Sequence, residues 1–265
     1  MNADQFLRIT RLLGEDVVES LHQKTVTVVG LGAVGGTCLE SLVRSGIGHV
    51  RLVDFDTVGI TNLNRQILAT YDTLGQQKTE VAKARMHAIN PDCEVEILSL
   101  FVQDETLNLV LDPKTDLVVD AIDSLGPKCA LLQAAYERNL PIVSSMGAAL
   151  RRDPSLIRTA DLMDTFGCPL ARQVRSNLRK RGVKEGIKAV FSPERVRFTY
   201  LDPQDDFDPD AKDQVQNLGR KRNILGSLPT ITSIFGQTLA HIALERLIGG
   251  DVFKGEPVCS VTPKR

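Results

Sequence analysis

The sequence predicts an α/β protein built on a Rossmann-like, mostly parallel sheet with helices on both faces. Short β-branched runs alternate with helical periods between residues 25 and 150, which is the pattern of successive βαβ units. The runs are apolar throughout instead of alternating with polar residues, as expected for strands that are covered by helices on both sides.

The predicted elements follow one another in a regular order. Strands are predicted at TVTVV (25–29), HVRLVD (49–54), EVEIL (94–98), DLVVDAI (116–122) and PIVSS (141–145). The helices between them are predicted over residues 33–45, 76–90 and 124–139. Residues 4–22 are predicted to form one or two helices hinged at Gly14, because glycine interrupts a helical period.

The pattern changes after residue 150. Antiparallel strands are predicted over 151–160 and 189–200, with a basic helix over 169–181 between them. The segment LDPQDDFDPDAKD has six Asp and two Pro, which predicts a mobile acidic loop before a closing helix over 231–248. The chain therefore divides into N-terminal helices (1–24), a Rossmann-like core (25–150) and a C-terminal extension (151–265).

The composition limits the partners that this chain attracts. A formal net charge of −1 over 265 residues gives no global field toward nucleic acid or membrane, so any such contact needs a local patch. No stretch approaches the roughly 20 apolar residues of a membrane span, and we expect a cytoplasmic protein without membrane contact. The five cysteines form no C-x-x-C pair, which argues against a disulfide framework or a zinc knuckle.

A glycine-rich motif follows the first predicted strand directly. Gly30, Gly32 and Gly35 form a G-x-G-x-x-G between TVTVV and a predicted helix, where glycines allow a tight turn and the helix N-terminus offers N–H groups to an anion. Asp54 ends the next strand, at about the spacing expected of a carboxylate that binds ribose hydroxyls. NAD, FAD and ATP all fit the motif at this point.

Polar side chains crowd the segment behind this second strand. They are Asn62, Asn64, Arg65, Gln66 and Lys78. A triphosphate under attack needs more cations than a bound dinucleotide, because its terminal charge and departing group must be held. Alternatively Arg65 and Lys78 are ordinary surface cations, the commoner fate of a single Arg or Lys. Their shared location favours phosphate binding.

These motifs together resemble the adenylation domain of E1-like enzymes, over roughly residues 8–150. The matching patterns are G-x-G-x-x-G, D-x-D-x-V, N-x-N-R-Q, G-Q-x-K and D-A-I-D. The resemblance implies ATP and Mg²⁺ as cofactors, with the ribose of ATP held by Asp54. It further implies phosphate contacts from Asn62, Arg65 and Lys78.

Two more residues take roles from the same resemblance. The family's N-terminal arginine reaches into the site of the partner subunit in a homodimer and matches Arg11 in RITRLLGED, with Arg8 as the alternative. Asp123 is implied to hold Mg²⁺, and its place at the carboxyl end of a predicted strand independently suits a ligand site. Asp120 is expected to be buried. The candidate catalytic residues are Arg11, Arg65, Lys78 and Asp123.

The second half of the chain is similar to the tRNA threonylcarbamoyladenosine dehydratases. The segments that carry this similarity are DPSLIRTADLMDT, PLARQVRSNLRKRGVK, AVFSPE and SLPTITSIFGQTLAHIAL. The similarity implies ATP-dependent dehydration and cyclisation of N6-threonylcarbamoyladenosine at position 37 of tRNA through an acyl-adenylate. No protein nucleophile is required, although Cys168 precedes a predicted helix whose N-terminus would lower a thiol pKa. A sulfur-relay protein remains open as a further partner.

A local basic patch is the predicted tRNA-binding surface. Seven cations against one acid make up the patch: Arg172, Arg175, Arg179, Lys180, Arg181, Lys184 and Lys188. The sparse aromatic residues argue against base stacking as the main grip, which leaves phosphate contacts. Without the family resemblance, a solvated basic helix face is the favoured interpretation.

Three other functions compete with this hypothesis. An E1-like enzyme that adenylates the C-terminus of a ubiquitin-like sulfur carrier would share the motifs, but the zinc-binding cysteine pairs common in those relatives are missing. A nicotinamide oxidoreductase, or a nucleotide-binding module without turnover, is suggested by the glycine motif and Asp54 alone.

Overall fold

The computed structural model describes residues 3–196 and 225–253 as a seven-stranded sheet flanked by helices. The strands are β1 (Thr25–Val29), β2 (His49–Val53), β3 (Glu94–Leu98), β4 (Leu117–Asp120), β5 (Ile142–Ser145), β6 (Arg158–Asp161) and β7 (Lys188–Phe191). The helices are α1 (Ala3–Leu13), α2 (Glu15–His22), α3 (Ala33–Arg44), α4 (Lys78–Ile89), α5 (Leu107–Val110), α6 (Leu125–Glu137), α7 (Pro169–Lys180) and α8 (Pro229–Ile248).

The strand order confirms the predicted fold class. The order is β3-β2-β1-β4-β5-β7-β6, and every neighbouring pair is parallel except β6 with β7. The chain moves from β1 outward through β2 to β3, then returns to the other side of β1 as β4. The carboxyl ends of β1 and β4 therefore form a topological switch point, where open α/β sheets bind their ligands.

Two apolar layers enclose the sheet, one on each face. Successive residues of a strand point to opposite faces, and in β1 Val28 belongs to one layer while Val29 belongs to the other. The first layer contains buried residues of α3, α4 and α8, and the second contains buried residues of α6 and α7. Coverage of both faces explains why the strand sequences are apolar at nearly every position.

The closing helix α8 packs closely on the start of α3. A Cβ atom on Gly236 would lie 2.6 Å from the carbonyl oxygen of Val34 and 2.7 Å from the Cβ of Thr37. Only a glycine permits this approach of the two helix backbones. The C-terminal part of the chain thus buttresses the first turn of α3, which begins at the glycine-rich motif.

Most predicted elements are confirmed, and two strands were predicted too long. Gly14 separates α1 from α2 with φ of 96°. The strand predicted over 151–160 is wrong over its first seven residues, because the Asp153 carboxylate accepts the Ser155 N–H at 2.9 Å and Pro154 begins a short 3₁₀ helix. Strand β7 ends at Phe191, so the prediction of strand over 192–196 is also wrong.

Three further predictions concern the acidic segment, membrane spans and the cysteines. Residues 197–200 and the acidic segment 201–213 lie outside the described residues. None of the described helices has the length and apolar character needed to cross a membrane. The four cysteines in the described ranges are free and buried: Cys38, Cys93, Cys129 and Cys168.

Candidate active site

The glycine-rich motif forms a tight turn between β1 and α3. Gly30 has φ of 91°, a left-handed value that favours glycine. A Cβ on Gly35 would lie 1.7 Å from the Gly30 carbonyl oxygen, so the turn closes only because residue 35 has no side chain. Gly32 caps α3 without a side-chain hydrogen bond. The first N–H groups of α3 therefore have no capping side chain and suit a phosphate.

Asp54 lies beside this turn and is fixed by backbone donors. Its Oδ2 accepts the Leu31 N–H at 2.6 Å and its Oδ1 accepts the Asp56 N–H at 2.8 Å. Burial raises the pKa of the Asp54 carboxyl, Lys78 opposes that rise, and the Asp56 carboxylate adds to it, so that the net pKa lies above the ordinary value. These two hydrogen bonds hold the Asp54 carboxylate in one orientation next to the turn.

Lys78 lies at the centre of a group of carboxylates. Its side chain is only 5% exposed, and its Nζ contacts Asp56 Oδ2 at 2.9 Å. Burial alone would lower the pKa of this ammonium group, but Asp54, Asp56 and Asp123 outweigh burial and raise it. Lys78 is therefore a charged, buried cation and not a surface residue. Asp56 was not predicted as a site residue, although the second Asp of D-x-D-x-V was its signal.

The loop after β2 holds the other predicted phosphate ligands. Asn62 ends a 3₁₀ turn and accepts the Gly59 N–H at 3.2 Å. Arg65 donates from Nη1 to the Thr61 carbonyl and to Asn64 Oδ1, both at 2.8 Å. The loop's own hydrogen bonds therefore orient both side chains.

Gln66 brings the same loop against the glycine turn. Its Nε2 lies 4.0 Å from the position that a Cβ on Gly32 would take. The Gln66 side chain is buried, and its Oε1 has no hydrogen-bond partner in the structure. A buried polar atom without a partner costs about 1–3 kcal/mol, and such an atom calls for a functional explanation. The carboxamide borders the space that phosphates would fill.

The carboxyl end of β4 carries two aspartates with different environments. Asp120 is fully buried and accepts Lys128 Nζ at 2.5 Å and Ser144 Oγ at 2.6 Å, which confirms its predicted burial. Asp123 is exposed at the start of α6, where Ser124 Oγ contacts its Oδ1 at 3.4 Å. The Asp123 carboxylate helps to raise the pKa of Lys78, and the Ala121 carbonyl oxygen two residues earlier lies 2.9 Å from the Cβ position of Gly30.

The structure does not bring Arg11 to this turn. Arg11 is exposed on α1, whose Phe6 ring lies 3.6 Å from the Cβ position of Gly46, just past the end of α3. The glycine turn is at the other end of α3, about 18 Å away at 1.5 Å per residue. Within one chain, Arg11 therefore belongs to a different part of the surface.

The seven predicted tRNA-binding cations point in several directions. Arg175 donates to Thr165 Oγ1 at 2.6 Å and Arg179 contacts the Met163 carbonyl at 3.4 Å. Arg181 reaches Gln133 on α6 at 3.0 Å, while Lys188 pairs with Glu245 on α8 at 2.6 Å. The exposed members on or after α7 include Arg172, Lys180 and Lys184.

Comparison with known proteins places this site in a family. A model described as the ThiF family matches residues 5–259. The chain belongs to the ThiF family of E1-like proteins.

Its relatives define the group within that family. A tRNA threonylcarbamoyladenosine dehydratase of Bacillus subtilis is 43% identical over 190 residues, which cover 72% of this chain and 75% of that protein. The Escherichia coli protein of the same name is 34% identical over 249 residues, 90% of this chain and 91% of that one. A crystal structure of the E. coli dehydratase in complex with ATP matches with a TM-score of 0.81 and 31% identity, covering 96% and 97% of the two chains. Within the ThiF family, this chain is a member of the tRNA threonylcarbamoyladenosine dehydratases, as its second half predicted.

Proposed function

We propose that this chain uses ATP to dehydrate N6-threonylcarbamoyladenosine at position 37 of tRNA to its cyclic form. The observation that supports this most directly is the dehydratase similarity along nearly the whole chain, combined with a glycine turn, a buried lysine and a strand-end aspartate at the sheet's switch point. A carboxylate is a poor electrophile, and its conversion to an acyl-adenylate provides AMP as the leaving group.

The described residues divide the work of adenylation among them. Asp54 holds the ribose, while the N–H groups at the start of α3 bind phosphate through the Gly30–Gly35 turn. Asn62, Arg65 and Lys78 contact the other phosphates. As pyrophosphate departs, negative charge builds on its bridging oxygen, and the Lys78 ammonium is already charged and desolvated to stabilise it. The ion pair with Asp56 keeps Lys78 in place before ATP binds.

The residues present fit a magnesium ion that is held mainly by phosphate oxygens. No group of three or more His, Cys, Asp or Glu that could hold a metal occurs in the described ranges. Mg²⁺ commonly takes one or two carboxylates plus phosphates and water. Asp123, exposed just past the carboxyl end of β4, is the carboxylate that we assign to it, where the ion would offset charge on the triphosphate.

Ring closure after adenylation needs no protein nucleophile. The neighbouring carbamoyl group attacks the acyl carbon, a new ring bond forms, the bond to AMP breaks, and the carbamoyl group loses a proton. Cys168 is buried, with its sulfur 3.6 Å from the Cβ position of Gly147. Its burial argues against the nucleophilic role that its place before α7 suggested.

Mass analysis of tRNA nucleosides tests substrate and reaction together. After incubation of threonylcarbamoylated tRNA with the protein and ATP, we expect a nucleoside lighter by one water, and AMP in equal amount. Pyrophosphate exchange that responds to a ubiquitin-like carrier but not to this tRNA would instead support the sulfur-carrier hypothesis. No exchange with either substrate would contradict an adenylating enzyme.

We further propose a cytoplasmic homodimer in which Arg11 completes the partner's site. Arg11→Ala and Arg65→Ala homodimers are each expected to lose most adenylation, because each site lacks one cation. Mixed dimers should regain up to about half of wild-type activity, because one of the two sites then has both arginines. Purified, differently tagged heterodimers assayed by pyrophosphate exchange make the measurement. Heterodimers as inactive as both parents would contradict action across the interface.

The exposed cations of α7 are proposed to bind tRNA phosphates. Changing Arg172, Arg179 and Lys180 to Gln should lower the slope of log affinity against log salt by about 2 to 3, since each lost phosphate contact contributes roughly 0.7 to 0.9. Binding titrations at several salt concentrations measure the slope. Lys114→Gln, an exposed change before β4, is the control for the loss of one positive charge away from α7, and it should leave the slope unchanged. An unchanged slope in the triple variant would show that α7 is a solvated face.

A further inference from the structure

Phe166 is a large aromatic side chain held out toward solvent. It is 60% exposed, on the turn between the 3₁₀ helix Leu162–Asp164 and α7. Its ring meets the buried ring of Phe191 edge to face, with centroids 5.5 Å apart and planes at 70°. Most of the ring stays in contact with water, so its partial burial stabilises the fold only a little. The stability of the fold therefore does not explain why a phenylalanine stands here.

The turn that carries Phe166 is rigid. Gly167 has φ of 72°, and a Cβ there would lie 2.6 Å from Pro193 Cα, so the backbone packs directly on the segment after β7. The Phe166 carbonyl accepts the Cys168 N–H at 2.9 Å, and Thr165 Oγ1 donates to the Leu162 carbonyl at 2.7 Å. A ring fixed in this way loses little conformational freedom when a ligand stacks on it.

The Phe166 ring lies at the same edge of the sheet as the glycine turn. Phe191 ends β7, and β7 runs parallel to β5. The carboxyl ends of β1, β4, β5 and β7 therefore share one edge. Three strand spacings of about 4.8 Å separate β1 from β7, so Phe191 is about 14 Å along that edge from the glycine turn. A base one or two nucleotides away from the reacting one can lie at such a distance in an unpaired loop.

Helix α7 brings cations to the turn that carries Phe166. Arg175 donates to Thr165, the residue before Phe166, at 2.6 Å. Arg172, Arg175 and Arg179 are spaced three and four residues apart on α7, so that they are neighbours on one face of the helix. Asp164 is the exposed acid of the same turn. The surroundings of Phe166 are net positive, which suits an RNA strand better than an apolar protein surface.

We propose that Phe166 is a stacking platform for an unpaired base of the tRNA anticodon loop. The proposal rests on the proposed function and names a subsite of its RNA substrate. Unpaired loop bases are recognised by stacking on aromatic side chains, with adjacent guanidinium groups on the phosphates. With nine Phe, three Tyr and no Trp in the chain, stacking was not predicted as the main grip. One ring inside a basic surface agrees with a supporting role.

Binding of a threonylcarbamoylated anticodon stem-loop tests the proposal. Phe166→Ala and Phe166→Leu should each raise the dissociation constant by about 5- to 140-fold, which corresponds to the 1–3 kcal/mol of base–aromatic stacking. Phe166→Trp should stay within about threefold of wild type, because it keeps an aromatic face. A stem-loop with 2-aminopurine in the loop should show fluorescence quenching that is lost in the Ala and Leu variants and kept in the Trp variant. The KM for ATP should not change.

Leu109→Ala is the matched control, since Leu109 is 57% exposed and its carbonyl accepts a hydrogen bond from Arg51 of β2, which lies four strand positions from β7 in the sheet. It should bind the stem-loop like wild type. Wild-type affinity of both Phe166→Ala and Phe166→Leu would overturn the proposal, as would a Phe166→Leu variant that binds normally and quenches normally. A Phe166→Ala change that alters the oligomeric state while RNA affinity stays constant would assign the ring to a protein contact instead. Cyclisation of threonylcarbamoyladenosine in tRNA by the wild-type protein is measured alongside. Failure of that reaction would contradict the proposed function, whereas the Phe166 variants test only the stacking proposal.

Discussion

Asp123→Asn is expected to lower ATP-dependent turnover by about 10²- to 10⁴-fold while the fold stays intact. The change removes one negative charge at the proposed metal position without a change in size, and a bound metal ion supplies several kcal/mol of charge stabilisation at a reacting phosphate. Asp123 is exposed, so the free energy of unfolding should change by less than about 0.5 kcal/mol. Pyrophosphate exchange and urea unfolding measure the two quantities.

Asp92→Asn is the matched control for this change. Asp92 is an exposed aspartate before β3, at the opposite edge of the sheet from Asp123. It should keep wild-type exchange at every Mg²⁺ concentration. Equal turnover of wild type and Asp123→Asn at saturating Mg²⁺ would remove Asp123 from the metal site.

The nucleotide-binding part of the fold could be predicted from the sequence because its signals are local. Gly30, Gly32 and Gly35 stand directly between a β-branched run and a helical period, so the turn and its neighbours follow from a dozen residues. The position of Asp54 could be predicted as well, because it ends the strand that follows the glycine motif after one helix. The structure places each of these beside the others.

The burial of the cations could not be predicted, because it depends on distant partners. Lys78 begins a helix and resembles a surface residue in the sequence, yet it packs against Asp56, 22 positions earlier. Lys128 lies in an ordinary helical period and still reaches Ser145 on β5. A helix sequence does not show which of its charges will meet a buried carboxylate on a strand.

In the second half of the chain, too, the features that depend on distant residues could not be predicted. The short β6 pairs with β7, about 30 residues later, and Pro154 keeps the preceding segment out of the sheet. The exposure of Phe166 follows from Gly167 packing on Pro193, which no local pattern indicates. Helix α7, by contrast, was predicted within one residue because its apolar and basic positions alternate with a helical period.

Lys128→Met is expected to destabilise the protein by about 3–5 kcal/mol, because it leaves the Asp120 carboxylate buried without its cation. The two side chains are 0% exposed, and Lys128 Nζ also donates to the Ser145 carbonyl at 2.9 Å. Asp120 Oδ1 accepts the Ile122 N–H at 3.1 Å, and the Ala121 carbonyl lies 2.9 Å from the Cβ position of Gly30. Loss of the ion pair should therefore loosen the strand end that carries Asp123, which raises the KM for ATP as well. Urea unfolding measures the first effect, and ATP titrations at low denaturant measure the second.

A second change at Asp120 separates the loss of charge balance from the loss of packing. Asp120→Asn combined with Lys128→Met removes both charges and keeps an acceptor for the Ile122 N–H, so the double variant should recover a large part of the lost stability. Arg44→Met is the control for the loss of an exposed cation, since Arg44 is 57% exposed and its partner Glu40 keeps a second ion pair with Arg85 at 2.6 Å, so that the change should cost about 1 kcal/mol or less. If Lys128→Met unfolds at the same urea concentration as Arg44→Met, the buried pair does not stabilise the strand end. If the double variant is no more stable than Lys128→Met, the cost arises from packing around Lys128 and not from the unpaired carboxylate.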